Sequence, residues 1–171
     1  TAEEWQHITE QHMPHIQDMP KRVISMLEQL AELTLGFGTD QLHHALQTAT
    51  MARRAGADDE MILISLIHDI GKVVNVLNHG QIVAEIVKPY VSGDAYHILR
   101  THQDFQGEHY YQYMGKPQDL RKQYTSEAWY SKAIEFTDKW DQAAFDPSYQ
   151  TDSLASFEPL INSFFTTPRA L

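Results

Sequence analysis

The chain has 171 residues, 42% of them hydrophobic, with no cysteine and a formal charge of −10. One folded domain with a sizeable core fits that length and composition, and a disordered chain does not. The acidic balance tells against a general surface for nucleic acid or anionic membranes, and the lack of cysteine removes disulfides, thiolate metal ligation and a cysteine nucleophile.

Apolar positions recur at helical spacing and no stretch alternates as a half-buried strand would, so the chain reads as an all-α single domain, residues 1–171. A first short helix starts near Glu3 and is expected to end before Pro14. Residues 1–19 then form an N-terminal helical extension to a core of about 20–165. Asp18 and Pro20 open a second helix with Val23, Leu27, Leu30 and Leu33 on one stripe, broken off by Gly36 and Gly38. Thr39 or Asp40 caps the next, Gln41 to about Ala55, closed by Gly56.

Asp58 caps a helix from Glu60 to Ile70 that is apolar nearly all round, which marks it as the most buried, with Gly71 as its stop. Its apolar run, Met61 to Ile67, is too short to cross a membrane; no secretory leader is visible, and a cytoplasmic location is expected. A helix over about His79–Val87 stops before Pro89, and Ser92 or Asp94 starts another through Tyr96 and Leu99 to about His102. Residues 105–124 are polar, aromatic and punctuated by Gly and Pro. They read as a long loop, with Phe105, Tyr110, Tyr111 and Tyr113 as candidates for a lid or substrate wall. Thr125 or Ser126 caps a long helix to about Phe145, ended by Pro147. A last amphipathic helix covers about Ser153–Phe165.

His68 and Asp69, adjacent at the end of the buried helix, carry the first chemical signal. Chance alone supplies about 0.7 such pairs in a chain of this composition, so the pair gains meaning only from other ligands. His44, His79, His102 and Asp141 stand on different apolar helices, or at their ends, and a bundle can bring them to one point. A carboxylate in an apolar helix is costly unless paired or metal-bound, and a C-terminal position denies Asp69 the role of a helix cap. Its two oxygens can bridge two metals while His68, about 100° around the helix, binds one. Spacing alone leaves two choices open, His43 or His44 and Asp138 or Asp141. His7, His12, His15, His97 and His109 read as ordinary core or surface residues.

With these residues in view, the chain resembles the HD-domain superfamily, whose helical fold carries a His…His-Asp…Asp metal core. Two further His between the HD pair and the last Asp resemble its dinuclear branch. The stretch Leu42-His43-His44-Ala45-Leu46-Gln47-Thr48-Ala49, followed by Arg-Arg-Ala-Gly-Ala-Asp, is similar to the oxygen-activating members, myo-inositol oxygenase and the phosphonate-cleaving HD oxygenases. The likeness continues through Leu66 to Lys72, Ile98 to His102, Lys139-Trp140-Asp141 and Phe157 to Ile161, and so covers most of the chain from about residue 23. It implies His44 as the first ligand and Asp141 as the last. One metal would be held by His44, His68, Asp69 and Asp141, the other by Asp69, His79 and His102.

The resemblance further implies a non-haem oxygenase with two iron ions, Fe(II)/Fe(III), that uses O2 to cleave a C–C or C–P bond in a small hydroxylated polar substrate. Lys72 matches a substrate-contacting lysine of inositol oxygenase and is the expected catalytic and substrate-binding residue, against a plain helix-end lysine. Asp138 and Gln106, the other expected substrate positions, stand where the phosphonate-cleaving members carry basic residues. Those members also have a Gly-Gly-Pro insertion that is missing here and a gating Glu that is replaced by Phe37. Inositol oxygenase has a lysine where this chain has Phe145. The alternative is a metal-dependent phosphohydrolase acting on a nucleotide or other phosphate ester with Mn or Zn. It would need cations near the site, and Arg53, Arg54 and Arg100 are the few on offer. No nucleic-acid or membrane partner is expected, and the oligomeric state is not readable.

Overall fold

Side-chain caps set the starts of four helices beyond the first, which Thr1 caps. Asp40, Asp58, Ser92 and Ser153 have extended backbone, and each accepts an N–H of the first turn that would otherwise lack a partner. The computed structural model describes residues 1–169, which among themselves form helices and turns without a strand. The α-helices are α1 (Ala2–Gln17), α2 (Met19–Gln29), α3 (Gln41–Arg54), α4 (Asp59–Ile67), α5 (His79–Val87), α6 (Gly93–Tyr110), α7 (Tyr130–Glu135) and α8 (Leu154–Phe165). The all-α expectation holds.

In α4, Met61 through Ile67 are all buried, so it runs through the middle of the core as its unbroken apolar character requires. It packs against α3, α6 and α8, while α5 lies along α6 and α2 crosses α3 and α8. Val23, Leu27 and Leu30 turn one stripe of α2 and the following turn inward, and Phe105, Phe136, Phe157 and Phe165 fill the interior with no exposure. Each such side chain contributes about 1.5–3 kcal/mol on burial. Arg53 and Arg54 tie the segment before α8 to α3 through Asp152.

Several boundaries differ from those expected. Helix α1 runs straight through Pro14. It has no buried residue, so the carbonyl that Pro14 leaves without a partner faces water. Helix α4 stops at Ile67, three residues early, and His68 and Asp69 form the joint to a 3₁₀ turn, Ile70–Val73. Residues 105–124 are not a long loop: α6 continues to Tyr110, and 3₁₀ turns follow at Tyr111–Met114 and Leu120–Tyr124. Gly107 sits inside that helix because the Tyr111 ring fills its side-chain space; a Cβ there would lie 2.4 Å from a ring carbon. The helix expected from Thr125 starts only at Tyr130, and after Glu135 it widens into a π-helical turn, Phe136–Asp141.

Candidate metal centre

Six side chains meet at the middle of the bundle, each brought by a different element apart from the adjacent pair. His44 comes from α3, His68 and Asp69 from the joint after α4, His79 from the first residue of α5, His102 from α6 and Asp141 from the end of the π turn. All six are buried. They fall into two groups whose ligand atoms lie within 4.8 Å of one another: His44, His68 and Asp141, and Asp69, His79 and His102. Gly71 lets these elements close up, since a Cβ there would meet the His79 carbonyl oxygen at 2.2 Å.

The hydrogen bonds fix the form of every imidazole. Nδ1 of His44 lies 2.8 Å from the Ala144 carbonyl, that of His68 2.9 Å from Ser65, that of His79 2.8 Å from Val76 and that of His102 2.7 Å from Leu99. A carbonyl only accepts, so each Nδ1 donates its proton, and in the neutral ring each Nε2 then turns a lone pair inward. Three of the four carbonyls belong to the residue three before the histidine, so the local turn itself aims the ring.

The separations then pose a demand. The His44 and His68 Nε2 atoms are 3.1 Å apart, and Asp141 Oδ1 is 3.1 and 3.3 Å from them. In the other group the Nε2 atoms of His79 and His102 are 3.0 Å apart, with Asp69 Oδ1 3.0 Å from His79 and 3.7 Å from His102. Asp69 Oδ2 faces the first group instead, 3.5 Å from His44 and 3.3 Å from His68. Both Asp141 oxygens are buried without a hydrogen-bond donor. Lone pairs facing lone pairs at such distances need a cation between them. Neighbouring ligands of an octahedral ion with bonds of about 2.1 Å lie about 3.0 Å apart, so both groups fit a first-row metal. Each group has two histidines and one carboxylate, and Asp69 gives one oxygen to each.

Charge points the same way. Burial opposes a proton on His68, but the Asp69 and Asp141 carboxylates outweigh it and raise its pKa to about 10. Burial also opposes ionisation of Asp69, yet His68 and Lys72 hold it well below the carboxylate range. Asp141 is lowered against burial by His68 and His44, whereas burial pushes His102 down. Two buried carboxylates thus draw positive charge inward, and metal ions satisfy them with all four rings neutral.

A cavity of about 720 Å³ opens beside both groups, bordered by His79 and His44 and by Lys72, Gln103, Gln106, Gln142 and Tyr110. Its outer part is walled by Leu35, Phe37, Val76 and Phe145. Lys72 Nζ bonds Asp69 Oδ2 at 2.5 Å and Gln41 Oε1 at 2.6 Å. Of the positions expected at the substrate, Lys72 and Gln106 thus border the cavity. Asp138 does not; it is paired with Arg121 and His109, each at 2.9 Å. The widened turn explains why. Asp138 and Asp141 would share a face of an α-helix, but i→i+5 bonding, as in Gln142 N–H to the Thr137 carbonyl at 2.9 Å, spreads them apart. His43 likewise turns away, its Nε2 3.3 Å from the Asp146 carbonyl.

Of the aromatic residues considered for a wall, Tyr110 alone borders the cavity. Phe105 is core, Tyr111 covers Gly107, and Tyr113 is 82% exposed. Sequence reasoning missed Gln41, fully buried and holding Lys72; its place three residues before His44, on the same helix face, was the available signal. Gln103 and Gln142 were also missed, and nothing in their spacing marks them. Residues 3–137, well over half of the chain, match the family model described as myo-inositol oxygenase. The match starts earlier than the resemblance from about residue 23 and takes in α1. His44, His68, Asp69, His79, His102 and Lys72 lie within it, and Asp141 lies just beyond. No curated protein matches the chain.

Proposed function

Because this chain belongs to the myo-inositol oxygenase family, we propose that it is a diiron oxygenase of the HD type that cleaves a C–C bond beside a hydroxyl in a small neutral substrate. Its oxygenase character and use of iron follow from the family. In this reading His44, His68, Asp69 and Asp141 hold one iron, and Asp69, His79 and His102 hold the other. The observation that carries it is the pair of two-histidine, one-carboxylate groups joined by the two oxygens of Asp69. Such a ligand set with open positions is the usual holder of Fe(II) in oxygenases.

When bound, the iron pair supplies Lewis acidity and the electron path to O2, which takes four electrons and gives one oxygen atom to the product and one to water. The chain's own residues do the rest. His44 of the first group and His79 of the second both border the cavity; the second group has three protein ligands against four in the first, so the substrate hydroxyl comes in at its less crowded side. Lys72, an ammonium already desolvated between Asp69 and Gln41, holds a substrate oxygen and favours loss of its proton. Burial, with Tyr111 and the two carboxylates behind it, raises the pKa of Tyr110, so its hydroxyl stays protonated and donates. The amides of Gln103, Gln106 and Gln142 offer both donors and acceptors to further hydroxyls.

Hydrolysis of a phosphate ester would want free cations in the cavity. Arg53 and Arg54 are engaged with Asp152, and Arg100 with Glu85. Among the described residues Lys72 is the one cation bordering the cavity. The test is to purify the protein from iron-supplied cells, count metals, and follow O2 uptake with myo-inositol and other polyols. Two irons per chain, a spin-coupled mixed-valent signal and one labelled oxygen in the product are expected. Phosphatase activity with Mn or Zn and no O2 uptake would overturn the proposal.

A further inference from the structure

The outer half of the cavity differs in chemistry from the half beside the ligands. Phe145 stacks on the His44 ring, centroids 4.3 Å apart and planes 12° from parallel, and Phe37 stacks on Phe145 at 4.5 Å and 16°. The three rings form a ladder that starts at a ligand and ends at the rim, where Phe37 is 47% exposed. Leu35 and Val76 stand beside it, both exposed and both bordering the cavity. Leu35 is held at φ +51°, a left-handed backbone that is strained for a non-glycine residue, and such strain collects at ligand sites. Water-facing apolar side chains gathered at one cavity mouth need an apolar partner.

Charge narrows the partner further. Among the described residues no acid outside the ligand set borders the cavity, and the one cation there, Lys72, is bonded to Asp69. A cationic head would find no carboxylate outside the ligand set, and an anionic head would meet, apart from the metals, only Lys72, whose charge Asp69 already balances. We infer that the substrate is a neutral amphipathic alcohol, with its hydroxyl end among Lys72 and the glutamines and a flat or branched apolar arm lying along Phe145, Phe37, Leu35 and Val76. Phe37 and Phe145 then act as specificity-determining residues: they reward an apolar arm over a hydroxylated one, whose hydroxyls would lose water there without gaining partners. The inference rests on the oxygenase reading for the site but concerns the arm that does not react.

The test uses 1-phenyl-1,2-ethanediol as probe, with glycerol, myo-inositol, hydroxymethylphosphonate and choline as competitors, titrated calorimetrically into the metal-loaded protein without O2. The phenyl diol should bind at least tenfold more tightly than glycerol or inositol. Phe37→Ala should remove most of that preference with metal content unchanged, and Phe37→Tyr, which keeps the stacked face, should retain it. Phe145→Leu should reduce it in the same direction. Tighter binding of inositol, the phosphonate or choline, or a preference unmoved by Phe37→Ala, would overturn the inference. Metal content and O2 uptake are read separately, so failure of the oxygenase reading would show there and leave the binding preference intact.

Discussion

The two ligand groups are alike in composition and unlike in setting. His68 and Asp141 are closed in, Asp141 with no exposure and His68 with Phe136 edge-on to it, while Phe145 covers one face of His44, which still borders the cavity. His79 and His102 belong to neighbouring helices that lie along each other, and His79 is the more exposed of the pair and opens to the cavity. In the proposed reading the first group would hold its metal more firmly than the second, with Asp69 coupling them.

The sharpest break in that comparison is loss of the coupling. Asp69→Ala should abolish O2-dependent turnover and bring metal content below one per chain by elemental analysis, because both groups lose a ligand. Stripping the metals by chelation comes next. Asp69 and Asp141 are then left facing ring nitrogens, at a cost of about 3–5 kcal/mol, so the melting temperature should fall on the order of 10 °C and recover with iron. His102→Ala leaves the second metal two protein ligands and should release it, whereas His44→Ala leaves the first metal three and should only weaken it; equal losses from the two would erase the asymmetry. Lys72→Met should leave both metals in place and cut turnover roughly 10–100-fold, with Gln41→Leu moving it the same way and less far.

The smallest effect lies away from the centre. Tyr124 donates to Asp104 at 2.8 Å, and burial together with that bond raises its pKa from 10.0 to about 12. The neutral form is therefore favoured in the fold. The stabilisation is present below pH 10 and lost as pH rises through about 12. Tyr124→Phe should cost about 1 kcal/mol or less at neutral pH, because the pair is partly solvated, and should flatten the alkaline arm of a denaturation profile.

Much of this was legible in the chain because caps and periodicity act locally. Asp40, Asp58 and Ser92 start helices where an apolar stripe begins, and the unbroken apolar run of α4 marked the middle of the core. What failed depended on surroundings. Pro14 ends no helix because α1 is solvated on every side, and Gly107 does not break α6 because a ring from four residues on takes its side-chain space. The site shows the same division. The HD pair stood out by type, but the choice of His44 over His43 and of Asp141 over Asp138 could not come from spacing. It came from resemblance; in the structure His44 and Asp141 reach the cluster and His43 and Asp138 do not, with the π turn supplying a rotation that no sequence pattern announces. Phe37 and Phe145 stood out as departures from relatives; that they touch each other is visible only in three dimensions.

The π turn has a bearing on how this protein can be improved. Its six residues, Phe136–Asp141, forgo the tighter bonding of an ordinary helix, and that looser winding is what swings Asp141 inward. A stiffer α7 and a loaded first metal therefore compete for the same backbone. Substitutions or deletions that regularise this segment should raise resistance to heat in the apoprotein while lowering its hold on iron. Thermostable variants are better sought in α1 or at the surface of α8, where added helical order has no ligand to displace.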